Sequence, residues 1–194
     1  MFDRRTFFVK ERVAVLKLTD TYDILDPATG ATIGIAKEVI PGWMKALRLL
    51  VNKMLLPTTV IISEREGSAP LLTIKRGFTL LRARVEVLDS RGEKLGYFKS
   101  KLFSLGGAFR VFDPADREVA LVQGNWVGWN FELKSPEGRK LGSVTKKWAG
   151  IGKELFTSAD NYIITMDDEK QPTAMTALLL AASIAIDTVY KEKK

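Results

Sequence analysis

The chemistry open to this chain is limited first by two missing residue types. The 194-residue sequence contains no histidine and no cysteine, which excludes imidazole bases, thiolate nucleophiles, disulfides and the common zinc ligand sets. Catalysis would have to use Asp, Glu, Lys, Tyr or Ser, and no pair of these residues has a spacing that brings an acid and a base together. The sequence therefore predicts a protein that is not an enzyme.

An excess of positive charge is the second chemical feature. Lys and Arg number 30 against 23 Asp and Glu, giving a net charge of +7, a balance that attracts acidic lipid headgroups, acidic proteins or nucleic acid. Nucleic acid is the unlikely partner, because no DNA- or RNA-binding module matches the pattern of the chain.

Basic residues gather around a predicted central hairpin. Arg82 and Arg84 share one face of a strand by the two-residue period, as do Lys99 and Lys101, so a polyanion could contact them side by side. The alternative is an ordinary solvated wall. The candidates for binding an anionic headgroup are Lys75, Arg76, Arg82, Arg84, Lys99 and Lys101.

A second basic segment is predicted to form a short amphipathic helix at about 41–56. It has a broad Leu and Met side and a narrow basic stripe, a pattern typical of helices that lie in a membrane surface. Two alternatives remain: a helix that covers one mouth of the fold with its cations reaching water, or a contact with a protein partner or a second copy. The membrane-binding candidates are Trp43, Lys45, Arg48 and Lys53.

Recurring hairpins must position these residues. The segments 22–35, 85–98 and 131–144 each join two extended runs through a turn that contains Gly with Asp or Ser, and 109–122 repeats the pattern without the glycine. Further strands are expected at 13–18, 58–63, 71–75 and 161–166. The total is about twelve strands, enough to close a barrel.

The C-terminal segment explains what such a barrel would contain. Residues 174–186 are apolar except for Thr176 and Ser183, and a helix without a polar side must be enclosed. About 17 to 25 apolar residues are usual for a membrane span, so this shorter run belongs inside the protein. We therefore predict a mainly β fold, a single domain over 1–194, in which a closed antiparallel barrel of about twelve strands encloses a hydrophobic helix at about 172–190.

Several motifs give the chain a family resemblance. Its repeated hairpins carry the pattern Asp-x-x-Gly-x-x-Leu-Gly, complete at residues 89–96 and with Ser in place of Asp at 135–142, and the other motif residues are Lys146, Lys147, Trp148, Phe156, Asp160, Asn161, Tyr162 and the helix-terminal Asp187. With these motifs the chain resembles the LURP-one-related and phospholipid scramblase-like proteins. The resemblance implies the tubby C-terminal-like fold, a twelve-stranded barrel around a hydrophobic helix. It also implies a phosphoinositide-type headgroup as ligand for the basic hairpin.

The same resemblance draws attention to an acidic loop before the last helix. Asp160, Asp167 and Asp168 lie where scramblases carry their proposed calcium segment, and calcium prefers several carboxylate and carbonyl oxygens. The loop lacks the Gly and the distal Glu of an EF-hand, so acidic residues near a helix start are the alternative account. Apart from this incomplete calcium site, no cofactor is predicted.

These observations lead to one functional hypothesis. We expect a non-catalytic, scramblase-like barrel that engages anionic membrane lipid, by peripheral binding or in a scramblase-related role. The alternative is a soluble structural or protein-interaction module of the LURP-one-related type without a lipid role. The apolar run after Arg4 and Arg5 ends at Lys10, too early for a signal peptide, so a cytoplasmic location, peripheral to a membrane, is expected.

Overall fold

The computed structural model describes residues 1–12, 19–47, 50–51, 55–77, 84–100, 108–125, 129–146, 161–167 and 172–190. This part of the chain forms twelve strands and two helices. The strands are β1 Thr6–Glu11, β2 Thr21–Leu25, β3 Thr32–Val39, β4 Thr58–Ser63, β5 Pro70–Arg76, β6 Arg84–Leu88, β7 Lys94–Ser100, β8 Ala108–Phe112, β9 Glu118–Asn125, β10 Asn130–Lys134, β11 Lys140–Thr145 and β12 Tyr162–Met166. The helices are α1 Gly42–Leu47 and α2 Thr173–Tyr190.

The twelve strands form one closed antiparallel barrel. Each strand pairs with its neighbours in the chain, and β1 pairs with β12 to close the sheet, with Phe8 opposite Ile163. Most inward residues are apolar, in the alternation expected of a sheet with one buried face. The predicted closed barrel of about twelve strands is confirmed.

Helix α2 fills the barrel, as predicted. Its side chains from Thr176 to Ile186 are buried on every side of the helix. Ser183 does not leave a polar atom unsatisfied, because its Oγ donates to the carbonyl oxygen of Leu179 at 2.8 Å. The fit to the wall is close: a Cβ on Gly96 of β7 would lie 3.0 Å from the Leu178 side chain.

The tight turns are fixed by short polar side chains. In the β6–β7 turn, Oδ1 of Asp89 accepts from the backbone N–H groups of Arg91 and Glu93, both at 2.9 Å. In the β8–β9 turn, which lacks a glycine, Asp116 itself takes the left-handed conformation with φ 61°. Asp tolerates this conformation better than most residues, so the fourth hairpin closes without glycine.

The sequence interpretation missed one strand and made one helix too long. Strand β1 at Thr6–Glu11 was not foreseen, because the basic residues on either side of its apolar run obscured the alternation; the predicted strand at 13–18 lies outside the described residues. The helix predicted at 41–56 is much shorter, since α1 covers only Gly42–Leu47. Leu47 then accepts backbone hydrogen bonds from Leu50 and Val51 in a turn.

The antiparallel order separates the connections into two groups. At one end of the barrel, here called the hairpin mouth, tight turns join β2 to β3, β4 to β5, β6 to β7, β8 to β9 and β10 to β11. At the other end, the loop mouth, lie the two longest connections, 40–57 and 146–161. Because β12 ends at the hairpin mouth, α2 begins there and runs inside the barrel toward the loop mouth.

Candidate functional site

The first candidate surface belongs to residues 39–56 at the loop mouth, here called the mouth segment. It has a small core of its own, in which Ile40, Met44 and Leu56 are buried and Leu47 and Val51 pack against them. The segment is tied to the barrel by Arg76 of β5, whose Nη2 donates to the Leu56 carbonyl at 3.2 Å. The segment therefore has a defined inner side and a defined outer side.

The outer side of the mouth segment is unusually apolar. Trp43 is 64% exposed and Leu50 is 86% exposed, while Val39 and Leu55 are each 44% exposed. Among the described residues, every large hydrophobic side chain with such exposure lies in this one segment. A concentration of exposed apolar side chains in one segment is typical of a site that binds a membrane, a protein or an apolar ligand.

Positive charge accompanies this apolar surface. Lys45 is exposed in the last turn of α1, where the helix dipole favours a cation. Trp43 and Lys45, two of the four predicted membrane-binding residues, are thus both exposed in α1. The other two, Arg48 and Lys53, lie outside the described residues.

The second candidate surface is on the outer wall of β6, β7 and β8. Its basic residues, here called the wall cluster, are Arg84, Lys94, Lys99 and Arg110. Register places Arg84 opposite Lys99, and Lys99 opposite Arg110, so three cations form one row across three strands. Like charges at opposed positions destabilise a sheet, so this row is not explained by strand pairing.

An aromatic pair underlies the wall cluster. Tyr97 of β7 and Phe112 of β8 are paired in register and stacked, with ring centroids 4.9 Å apart and an interplanar angle of 11°. The guanidinium carbon of Arg84 is 4.0 Å from the Tyr97 centroid, and Nζ of Lys99 is 5.1 Å from both centroids. Nζ of Lys94 also lies 4.6 Å from the Tyr97 centroid. Cation–π attraction therefore holds these side chains over the rings.

The cations cover Tyr97 so completely that its exposure is 2% although it points out of the barrel. This desolvation raises the pKa of the Tyr97 hydroxyl, and the Asp116 carboxylate raises the pKa further. Tyr97 is therefore neutral at physiological pH, and the charge of the surface comes from Lys and Arg.

Carboxylates balance only part of the row. Nε of Arg84 is 3.4 Å from Oε1 of Glu86, and Nε of Arg110 is 3.7 Å from Oε2 of Glu118. Lys99, in the centre, has no carboxylate partner within the described ranges. The middle of the row is therefore the most electropositive point.

Of the remaining predicted headgroup residues, Lys75 and Arg76 point to opposite faces of β5. Lys75 is exposed on β5, opposite Glu86 of β6, while Arg82 and Lys101 lie outside the described residues. Placing Arg76 on the outer surface was wrong. Because Lys75 points outward, Arg76 points inward, and it is 5% exposed. Its Nη2 donates to the Leu56 carbonyl at 3.2 Å and to Thr58 Oγ1 at 3.0 Å.

Buried polar groups also line the inner rim of the loop mouth. Oδ1 of Asn161 accepts from the backbone N–H of Glu11 at 3.2 Å, and Oε2 of Glu38 accepts from the N–H of Asp20 at 3.1 Å. These bonds tie the connections of the loop mouth to the barrel wall. They are structural contacts and do not form a separate site.

For the predicted calcium residues, the structure places only Asp167. Its Oδ2 lies 3.1 Å from Nζ of Lys140, so this carboxylate forms an ion pair. Asp160 and Asp168 lie outside the described residues. Over the part of the chain that is described, no three acidic side chains come together as a metal site.

The sequence interpretation missed Arg110 and the aromatic pair. A signal was present, because Tyr97 and Lys99 are two residues apart, as are Arg110 and Phe112. The two-residue period puts each pair on one face of its strand, but only the register shows that the faces adjoin.

Among the described residues, neither α1 nor α2 has the combined length and hydropathy that a membrane-spanning helix requires.

A family model and several similar proteins relate the chain to scramblases. The sequence model of the family described as Scramblase matches residues 57–193, well over half of the chain. Similar proteins include phospholipid scramblase 1 of Mus musculus, 29% identical over 76% of this chain and 44% of that protein. Phospholipid scramblase 2 of Bos taurus is 26% identical over 63% of this chain and 44% of its own length.

A further relative is altered inheritance rate of mitochondria protein 25 of Saccharomyces cerevisiae, which is 26% identical over 87% of this chain and 63% of its own length. The chain thus spans about half of these relatives, between 44% and 63% of their length. No solved structure gives a significant match.

Proposed function

The chain belongs to the Scramblase family, and from this premise we propose that it is a non-catalytic barrel that binds anionic membrane surfaces through the mouth segment. Two relatives are named phospholipid scramblases, which is the reason for choosing phospholipid as the ligand. The proposal concerns peripheral binding, with the loop mouth facing the lipid and the barrel remaining folded around α2.

The observation that carries the proposal is the exposure of Trp43 and Leu50 in the mouth segment. Full burial of a large apolar side chain contributes about 1.5–3 kcal/mol. Trp43, Leu50 and Leu55 entering the headgroup region together would therefore stabilise the bound state by several kcal/mol. Tryptophan is also suited to this depth, since its ring is apolar while its N–H can reach water.

Electrostatic attraction supplies the second contribution. A basic residue close to an anionic surface adds about 1 kcal/mol, an effect that falls off within a Debye length. Lys45 is exposed in the same short helix as Trp43, and the net charge of +7 attracts the whole molecule toward acidic lipid. Binding should therefore require both acidic lipid and the apolar side chains, and should weaken as salt is added.

Co-sedimentation with vesicles tests the proposal. Vesicles of phosphatidylcholine alone are compared with vesicles that also contain phosphatidylserine. The double variant Trp43→Ala/Leu50→Ala should bind at least about tenfold more weakly, because roughly 1.5 kcal/mol or more of burial is lost. Circular dichroism checks that this variant is folded.

A pair of charge variants provides the matched control. Lys45→Glu should weaken binding to the acidic vesicles, whereas Arg91→Glu, the same reversal of charge on an exposed residue of the β6–β7 turn at the hairpin mouth, should weaken it much less. Indifference of the protein to acidic vesicles would contradict the proposal and favour the alternative, a protein-interaction module without a lipid role.

A further inference from the structure

Three cations lie side by side on the outer wall, although like charges at opposed positions weaken strand pairing. Arg84, Lys99 and Arg110 occupy directly opposed positions on three adjacent strands. Neighbouring strands are about 4.8 Å apart, so the three backbones span roughly 10 Å. Repulsion among three such charges opposes folding, and an anion placed above the row would remove it.

The aromatic pair restricts where these charges can go. Lys99 lies over both rings, and Arg84 lies over Tyr97. The side chains of Arg84 and Lys99 are thus held near one another over a flat apolar base. Less conformational entropy is lost when prearranged donors bind a ligand, which favours binding.

The position of the row links it to the mouth segment. Arg84 is the first residue of β6, and Lys99 is the last but one of β7. Both positions are near the loop mouth, at the end of the barrel that carries Trp43. A headgroup at the row would therefore belong to the membrane that the mouth segment contacts.

We propose that Arg84, Lys99 and Arg110 form a binding site for a phosphomonoester dianion carried by a lipid headgroup, as in phosphatidic acid. This inference rests on the proposed function and names its headgroup class. A phosphomonoester carries about −1.5 to −2 charge at pH 7 and three terminal oxygens, enough to engage three cations. A phosphodiester such as phosphatidylglycerol carries one negative charge and two such oxygens.

The types of donor agree with this ligand. The forked guanidinium groups of Arg84 and Arg110 can each bind two phosphate oxygens, and the ammonium of Lys99 provides a point charge between them. Glu86 and Glu118 neutralise part of the two outer charges. The central lysine, which has no carboxylate beside it in the described structure, is where the phosphorus should lie.

The test uses soluble short-chain lipids, which need no membrane. Dihexanoyl phosphatidic acid, dihexanoyl phosphatidylglycerol and inorganic phosphate are each titrated into the labelled protein, and backbone amide shifts are followed by NMR. We expect phosphatidic acid to shift the amides of β6, β7 and β8 and to bind more tightly than either other probe. Lys99→Gln and Arg110→Gln should each weaken its binding by about tenfold, as expected for the loss of one charge-assisted hydrogen bond.

Lys10→Gln is the matched control, since it removes the same charge from the outer face of β1, and it should leave the affinity nearly unchanged. Lys99→Arg should retain binding. Equal affinity for the two lipids, or an equal effect of Lys10→Gln and Lys99→Gln, would overturn the site. Inorganic phosphate binding as tightly as phosphatidic acid would overturn the assignment to lipid. None of these outcomes depends on vesicle binding by Trp43 and Leu50, so failure here is distinguishable from failure of the proposed function.

Discussion

The two mouths of the barrel are built differently although the same strands lead into both. At the hairpin mouth, short turns are closed by Asp and Ser side chains, as in the hydrogen bonds of Asp89 and Asp113 to their own turns. Ion pairs such as Arg4 with Asp26 add to them. Among the described residues, no large apolar side chain is highly exposed at this end.

The loop mouth has the opposite character. Its connection through α1 exposes Trp43, Leu50 and Leu55. Because these side chains are in contact with water, they contribute little to the stability of the fold. The difference supports the proposal that the two mouths have separate roles, the hairpin mouth stabilising the barrel and the loop mouth binding a membrane surface. Substitutions at one end should therefore change stability, and substitutions at the other should change binding.

The largest effect is expected inside the barrel that both mouths share. Leu178→Asp would place a carboxylate at a position that is 3% exposed among apolar neighbours. An unpaired buried charge of this kind costs about 3–5 kcal/mol, so the variant should unfold or melt far below the parent protein. Leu178→Met, which nearly conserves volume, should cost less than about 1.5 kcal/mol. Native-like melting of the Asp variant would contradict the enclosed helix.

A pair of glycine variants compares the barrel wall with the loop mouth. A Cβ on Gly96 would lie 2.4 Å from the backbone oxygen of Phe112 and 3.0 Å from Leu178, while a Cβ on Gly42 of α1 would meet nothing within 4 Å. Gly96→Ala should therefore destabilise by about 1–3 kcal/mol, as overpacking usually does. Gly42→Ala should be neutral or stabilise by up to about 1 kcal/mol. Urea denaturation measures both changes, and equal effects would refute the tight contact between β7 and α2.

A substitution at the hairpin mouth tests the division of roles directly. Asp89→Ala removes the acceptor for two backbone N–H groups in the β6–β7 turn. By analogy with the loss of a capping side chain, it should destabilise by about 1 kcal/mol. Vesicle binding by this variant should be unchanged. A loss of binding without a loss of stability would reverse the assignment of the two mouths.

The smallest effect concerns pH at the same mouth. The hydrogen bond from the backbone N–H of Arg117 lowers the pKa of Asp113, and the Arg117 side chain lowers it further. Because the folded pKa is below the ordinary value of about 3.9, this carboxylate stabilises the fold above that pH and stops doing so as the pH falls through the lowered pKa. The melting temperature should fall less steeply below about pH 4 in Asp113→Asn than in the parent. Identical acid profiles would show that the turn does not depend on this charge.

The sequence predicted the barrel well because its signals are local. Asp and Gly at the turns and alternating apolar runs indicate hairpins. An apolar helix with no polar side indicates a helix that must be enclosed. The exceptions have physical causes. Asp116 adopts the left-handed conformation that glycine has in the other turns. Strand β1 is hard to recognise in the sequence because charged residues flank its short apolar run.

The candidate sites were less predictable because they depend on orientation and register. Sequence could place Lys75 and Arg76 on one strand, but the pleat sends Arg76 inward to Leu56 and Thr58. It could not bring Arg110 beside Lys99, since these residues meet only through the β7–β8 register. The helix at 41–56 was overextended because its apolar spacing continues past Leu47, where the chain turns instead.

The central claim is that the loop mouth faces the membrane and the hairpin mouth faces away. The absence of cysteine from the sequence allows one environment-sensitive fluorophore to be attached at a chosen site, either Leu50→Cys at the loop mouth or Ser90→Cys at the hairpin mouth. With acidic vesicles, the label at position 50 should shift to the blue and be quenched by lipid-borne quenchers, while the label at position 90 should not change. Equal responses at both positions, or a response at position 90 alone, would contradict the account.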